Sequence, residues 1–157
     1  MTEDVLAQIS SFRGNTEHGL DGKGRLNIPA RFKDVLSRKY DERLVVIPWR
    51  DCLRVYPLLE WARFEEALLN RKQDRNTLKR VRLLIGRSAE LQLDRNGRIL
   101  VPAAMRKLAG LASNVVLTGM GPFFEIWDQE GFAAVIANVD EDDFDELEET
   151  IHELSLF

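Results

Sequence analysis

Asp21-Gly22-Lys23-Gly24-Arg25-Leu26-Asn27-Ile28-Pro29-Ala30 returns further along the chain as Asp94-Arg95-Asn96-Gly97-Arg98-Ile99-Leu100-Val101-Pro102-Ala103. The two stretches stand 73 residues apart and align without a gap. Asp, Gly, Arg, Pro and Ala are identical at matching places, and Leu/Ile and Ile/Val exchanges preserve the apolar ones. Outward from this core, Glu17 and Leu20 match Glu90 and Leu93 in the same register. Further on, Cys52-Leu53-Arg54-Val55-Tyr56 resembles Phe123-Phe124-Glu125-Ile126-Trp127 at an offset of 71. Agreement over so long a stretch marks a tandem duplication.

Each half therefore reads the same way. Thr16, His18 and Leu20 in the first half, and Ala89, Leu91 and Leu93 in the second, alternate as in a strand. Asp-Gly-Lys-Gly and Asp-Arg-Asn-Gly are turn sequences, because Asp, Asn and Gly tolerate the left-handed backbone of a tight hairpin. Second strands follow through Arg25–Ile28 and Arg98–Val101. Pro29 and Pro102 suit the first turn of a helix, predicting short helices at Ala30–Leu36 and Ala103–Leu108, with Gly110 as a stop for the second. Leu44–Ile47 and Val115–Thr118 read as buried strands. They pair with Leu53–Tyr56 and Phe123–Trp127 across turns near Arg50-Asp51 and Gly119–Pro122.

Leu58, Trp61, Phe64 and Leu68 recur at helical spacing. After a polar break at Lys72–Arg75, Asn76 or Thr77 is the expected cap of a helix through Leu78, Val81, Leu84 and Ile85. Phe132, Val135 and Ile136 form the weaker counterpart in the second half, and one or two amphipathic turns are expected between Glu146 and Leu156. The reading divides the chain into an N-terminal extension (1–11), a first half (12–71), a connecting helix (72–85), a second half (86–139) and an acidic tail (140–157). The fold class is α+β.

At 157 residues, with 45% hydrophobic and 31% charged residues, the chain has an ordinary globular balance. The single cysteine, Cys52, allows no intrachain disulfide and reads as a reduced thiol in a strand. No apolar run approaches the ~20 residues that span a bilayer, and Met1–Ser10 holds acids but no Lys or Arg, unlike a signal peptide. A cytoplasmic location is expected. The net charge of −4 conceals an uneven distribution. Asp140–Phe157 carries nine acids and no Lys or Arg, which leaves 17 acids against 22 bases in residues 1–139, a formal charge of +5. A mildly basic body carries an acidic tail.

Enzymatic chemistry has little to stand on. His18 and His152, the two histidines, lie in different halves without a partner pattern. Neither a His-x-x-x-His nor a Cys-x-x-Cys pair is present, nor a phosphate-binding Gly-x-x-x-x-Gly-Lys-Ser/Thr loop. Gly22-Lys23-Gly24 is too short for such a loop and lies between strands. The repeated Asp-x-x-x-Arg is the more informative feature. Asp21 and Arg25 flank a hairpin tip and can form an ion pair across it, and Asp94 and Arg98 repeat the arrangement; a fold-holding role accounts for both pairs. The first tip also carries Lys23, with Arg13 and Arg31 nearby in sequence. A two-stranded ribbon fits the major groove, where Arg can bind guanine O6 and N7 together, and a Lys at a flexible tip suits a phosphate. The second tip has Asn96 in place of Lys23, which makes the first the better DNA reader.

Phe12-Arg13-Gly14 leading to the first motif, the second Asp94-x-x-Gly97-Arg98, and Tyr56-Pro57-Leu58-x-Glu60-Trp61 between them together resemble the MraZ family, from about Phe12 to about Asp128. The resemblance implies a duplicated fold related to the AbrB and MazE swapped-hairpin β-barrels (a double-split β-barrel), both halves supplied by one chain. It implies protomers assembled into a ring, an octamer or a dodecamer. It also implies a nucleoid-associated transcriptional regulator of the bacterial cluster of cell-division and cell-wall genes, binding short direct repeats in double-stranded promoter DNA. Carried over by position, Lys23 and Arg25 are the main DNA contacts, Arg13 supports them, and Arg98 serves either structure or assembly. No metal, cofactor, small-molecule substrate or membrane is implied. The chain departs from the family pattern in its extension, Met1–Ser11. Two other readings stay open: an antitoxin-like module whose tail (Asp140–Phe157) masks a partner protein, and a purely structural ring former whose basic tips make salt bridges.

Overall fold

The computed structural model describes residues 1–154; the expected end of the tail helix at Leu156 lies outside the described residues. In chain order the elements are α1 (Glu3–Ile9), β1 (Asn15–Gly19), β2 (Arg25–Asn27), α2 (Ala30–Lys39), β3 (Arg43–Trp49), β4 (Cys52–Pro57), α3 (Leu58–Leu69) and α4 (Arg75–Leu84). The second half follows with β5 (Ala89–Gln92), β6 (Arg98–Leu100), α5 (Ala103–Leu108), β7 (Asn114–Gly119), β8 (Phe124–Asp128), α6 (Gln129–Ala137) and α7 (Glu141–Glu153). The duplication is thus visible as a repeated order of elements, and the fold is α+β with antiparallel pairing throughout.

Strand pairing crosses between the halves. A six-stranded sheet runs β1-β7-β8-β4-β3-β5, and β2 and β6 form a separate two-stranded ribbon. The hairpins β3–β4 and β7–β8 form as the sequence predicts. The outer strands do not stay at home: β1 pairs with β7 of the second half, and β5 pairs with β3 of the first. The hairpin expected between β1 and β2 is consequently reduced to one bridge, Leu20 to Leu26. Beyond it each strand joins the other half, β1 pairing with β7 and β2 with β6.

Two pairings reveal an approximate two-fold axis. Leu26 faces Ile99 and Arg54 faces Glu125, and in each pair the partners are the same position of the repeat. The first pair lies in the core, both side chains at 1% exposure or less. The second has become an ion pair: Arg54 Nε donates to Glu125 Oε2 at 3.3 Å, and Trp127 Nε1 donates to Oε1 at 3.1 Å. The Arg54 guanidinium also lies over the rings of Trp49 and Phe123, at 4.1 and 4.8 Å. Burial, with the Glu125 carboxylate next in importance, pushes the neighbouring Cys52 thiol up to about 12, so it stays protonated.

The alternation of β3 divides the packing. Leu44 and Val46 enter the main core with Phe12, Phe32 and Phe124, whose ring centroids lie 5.1–5.3 Å apart. Val45 and Ile47 point the other way, to Trp61 of α3 and Leu84 of α4. The cap of α4 is Asp74, not Asn76 or Thr77; its carboxylate accepts the Thr77 N–H at 2.9 Å, while Thr77 itself is buried. The tail helix starts earlier than expected, because Asp140 and Asp143 form a reciprocal capping box. Its apolar positions stay outside: Phe144 is 55% and Leu147 51% exposed. The N-terminal extension forms α1, which lies against α2.

Candidate nucleic-acid interface

The repeated motif folds into two nearly identical loops. Asp21 Oδ1 accepts the backbone N–H of Lys23 and of Arg25, each at 2.9 Å, and Oδ2 accepts from Arg25 Nε at 2.6 Å. In the second loop Asp94 Oδ1 accepts from the backbone of Asn96 and Arg98 at 2.8 and 3.0 Å, and Oδ2 from Arg98 Nε at 3.1 Å. Each aspartate thus ties the backbone and the arginine of its own loop together. This does not exhaust the arginine, since only Nε is used and the side chain of Arg25 remains 42% exposed. The hydrogen bonds have an electrostatic signature. The backbone N–H of Arg25, then its guanidinium, hold the Asp21 carboxyl at about 2, and Asp94 is lowered by the same kind of donors.

Each loop turns on a glycine with positive φ, Gly24 at 89° and Gly97 at 72°. A base from the other half covers each glycine. A β-carbon on Gly24 would lie 2.8 Å from Nε of Arg106, and one on Gly97 would lie 2.8 Å from Nζ of Lys33. Lys33 and Arg106 are the same position of the repeat. Backbone bonds repeat the exchange: Val101 N–H donates to Gly24 O at 2.8 Å and Ile28 N–H to Gly97 O at 3.0 Å. The first loop thus carries Lys23, Arg25 and Arg106, the second Arg95, Arg98 and Lys33. Sequence reading missed the two crossing bases, although the offset that aligns the motifs also aligns Lys33 with Arg106.

Between the loops lies the β2–β6 ribbon. Leu26 and Ile99 face the core, so their neighbours must face outward. Arg25 stands opposite Leu100, and Asn27 opposite Arg98. The outer surface is therefore a two-by-two array of Arg25, Leu100, Asn27 and Arg98, and Leu100 is 58% exposed. These side chains match base edges in the major groove: Arg to guanine, Asn to adenine, an apolar group to the thymine methyl. Asn27 and Leu100 passed unnoticed in the sequence because an exposed face is defined only once the opposite face is known to be buried.

Arg13 stands apart from the first loop. It sits before β1, whose five residues separate it from the first loop by roughly 17 Å of strand, and its guanidinium donates to the carbonyl of Ile9 at the end of α1, at 3.3 Å. Arg31 lies beside it, against Gly14. Among the described residues no group of three or more His, Cys, Asp or Glu could hold a metal ion, and no helix is long and apolar enough to cross a membrane.

Comparison with known proteins agrees with the repeat. The family model described as "MraZ protein, putative antitoxin-like" matches twice, over residues 11–81 and 84–154. The chain belongs to the MraZ family. Among MraZ relatives, a protein of Saccharophagus degradans is 40% identical over 150 residues, covering 92% of this chain and 99% of its own length. One from Thioalkalivibrio sulfidiphilus is 46% identical over 121 residues, with 76% and 81% covered. One from Nitratidesulfovibrio vulgaris, strain Hildenborough, is 38% identical over 144 residues, with 90% and 94% covered. All three are named "Transcriptional regulator MraZ".

Proposed function

We propose that this chain is a sequence-specific DNA-binding transcriptional regulator whose reading surface is the β2–β6 ribbon with its two flanking loops. The observation that carries the reading is the outward array of Arg25, Asn27, Arg98 and Leu100, bordered by Lys23 and Arg106 at one end and by Arg95 and Lys33 at the other. A ribbon of two strands suits a major groove about 12 Å wide. Arg25, pinned through Nε, keeps its terminal nitrogens for a guanine, while Lys23 and the crossing bases serve phosphates. Arg13, separated from the first loop by the length of β1, supports binding as a separate backbone contact. The names of the relatives support the regulatory role.

In this reading the two halves, with boundaries near 12–71 and 86–139, form a swapped-hairpin barrel of the AbrB type. Protomers join into a ring in the cytoplasm, on the nucleoid, and the ring engages short direct repeats before the cell-division and cell-wall genes. The deciding experiment is a salt-titrated binding assay on DNA upstream of the protein's own gene. Wild type and Lys23→Ala/Arg25→Ala are compared side by side, with assembly followed by light scattering. Specific binding that the double variant loses while still assembled supports the reading. Absence of specific binding from a correctly assembled wild type overturns it, and loss of assembly in the variant reassigns the arginine to structure. The exposed tail helix favours the antitoxin-like reading as a second possibility; its mark is a stable partner that co-purifies through residues 140–157.

A further inference from the structure

α1 and the first half of α2 form a cleft of about 360 Å³, within the ~300–1,000 Å³ of small-molecule sites. Leu6 and Ile9 of α1 and Phe32 and Val35 of α2 give it apolar walls. Phe32 and Val35, at 1% and 8% exposure, belong to the main core, so the floor is firm. Arg13 and Arg31 line the same cleft, and both are exposed. Each spends one terminal nitrogen on a neutral carbonyl: Arg13 Nη2 donates to Ile9 O at 3.3 Å and Arg31 Nη2 to Asn15 O at 3.5 Å. Among the described residues no ion pair involves either arginine. Asp34, the one acid of α2, is taken by Arg38 at 3.2 Å.

The backbone around the arginines is held in place. Phe12 and Gly121 exchange two backbone hydrogen bonds at 2.8 and 2.9 Å, and Gly119 N–H donates to Gly14 O at 2.9 Å, so Arg13 is tethered on either side. Gly14, with φ at 85°, makes room for the other guanidinium, since a β-carbon there would lie 2.9 Å from Arg31 Nη2. The repeat supplies an internal control. At the offset of 73 residues Arg13 and Arg31 correspond to Gly86 and Ala104. The second half builds its strands and its α5 without either base, so the fold does not require the pair.

We propose that this cleft binds a small amphiphilic anion, a carboxylate or phosphate head on an alkyl chain, one per polypeptide. The head lies at the two guanidiniums, whose remaining nitrogens match either oxyanion. The alkyl chain lies between α1 and α2 and covers Ile9, which is otherwise 51% exposed. Two positive charges beside apolar walls attract an anion more strongly than they would on open surface, because the walls keep water away. An occupied cleft also withholds Arg13 from the DNA phosphate proposed for it above. The binding itself does not depend on DNA and is measured without it.

The test is titration calorimetry on the full-length protein with octanoate and octyl phosphate, and with octanol and inorganic phosphate as the chain and the head alone. One molecule of each amphiphilic anion is expected to bind per polypeptide, about tenfold or more tighter than either part alone. Whichever head binds more tightly names the source, an acyl acid or a phosphorylated alkyl group. Arg13→Gln/Arg31→Gln is expected to bring both anions down to the level of octanol. Ile9→Asp, which puts a carboxylate into the cleft, is expected to abolish their binding with both arginines in place. Lys79→Gln/Arg80→Gln removes the same charge from α4 and is expected to change nothing. Circular dichroism confirms that each variant is folded. Octanol binding as tightly as octyl phosphate overturns the proposal. So does anion binding that survives Arg13→Gln/Arg31→Gln, an equal loss in Lys79→Gln/Arg80→Gln, or no binding of either anion at millimolar concentration.

Discussion

Arg25 is only partly committed within its loop. Its Nε is committed to Asp21, while the rest of its guanidinium stays open to solvent. Arg25→Ala is accordingly expected to abolish discrimination among DNA sequences and leave the assembly intact, as competition binding and light scattering would show. Lys23→Ala removes a charge from an exposed tip without touching the Asp21 network. It should weaken all sequences alike and lower the slope of log K against log salt by about one; an unchanged slope with altered base preference would make Lys23 a base reader. The aspartate can be followed directly. Its carboxyl, held at about 2 in the folded loop, returns to 3.8 when the chain unfolds. A depressed value in the folded state contributes stability above the unfolded value, and that contribution fades as pH falls from about 4 through about 2. Carboxyl carbon NMR is expected to show Asp21 titrating near the lower value. Titration in the ordinary carboxylate range would mean that the loop is not pinned in solution. Asn27→Ala is expected to relax preference at a single base position, a loss worth about 1–3 kcal/mol of discrimination.

At the scale of elements, the Arg54–Glu125 pair bridges β4 and β8 at the junction of the halves. Arg54→Met would leave Glu125, with its side chain 9% exposed, charged and without its partner, at a cost of about 3 kcal/mol. Urea unfolding is expected to show a lower midpoint with an unchanged slope; a midpoint at the wild-type value would mean that Trp127 and water suffice for the carboxylate. This pair also shows where sequence reading stops. The duplication, the turns, the hairpins β3–β4 and β7–β8 and the helices at Pro29 and Pro102 were all legible, because each is written in local chemistry. Which half β1 joins was not, since alternation in Thr16, His18 and Leu20 says that a strand exists and leaves its neighbour open. For the same reason the candidate site was legible only in part. Asp21, Lys23 and Arg25 announce themselves by the motif, whereas Lys33 and Arg106 reach loops of the opposite half, and Asn27 becomes an outward residue only when Leu26 is seen to be buried. Arg13, close to the motif in sequence, is carried away from it by the full length of β1.

The whole molecule places a basic ribbon on a body that is positive through residue 139 and an acidic helix at its end. One ribbon offers few contacts, so affinity is expected to rise steeply as target sites are added in a row, each further engagement being intramolecular. Equal affinity for one site and for several, measured at fixed salt, would break the link between assembly and recognition. The approximate two-fold axis has one more effect. A true pair of identical halves looks the same from either end and so answers to palindromes. Fusing the halves allowed them to diverge, so that one end of the ribbon carries Lys23-Gly24 and the other Arg95-Asn96-Gly97. The two ends of the ribbon are therefore chemically distinct, and under the proposed function the surface has a direction. Under the proposed function, inverting one site in a series of direct repeats is expected to abolish binding at that position and leave its neighbours bound.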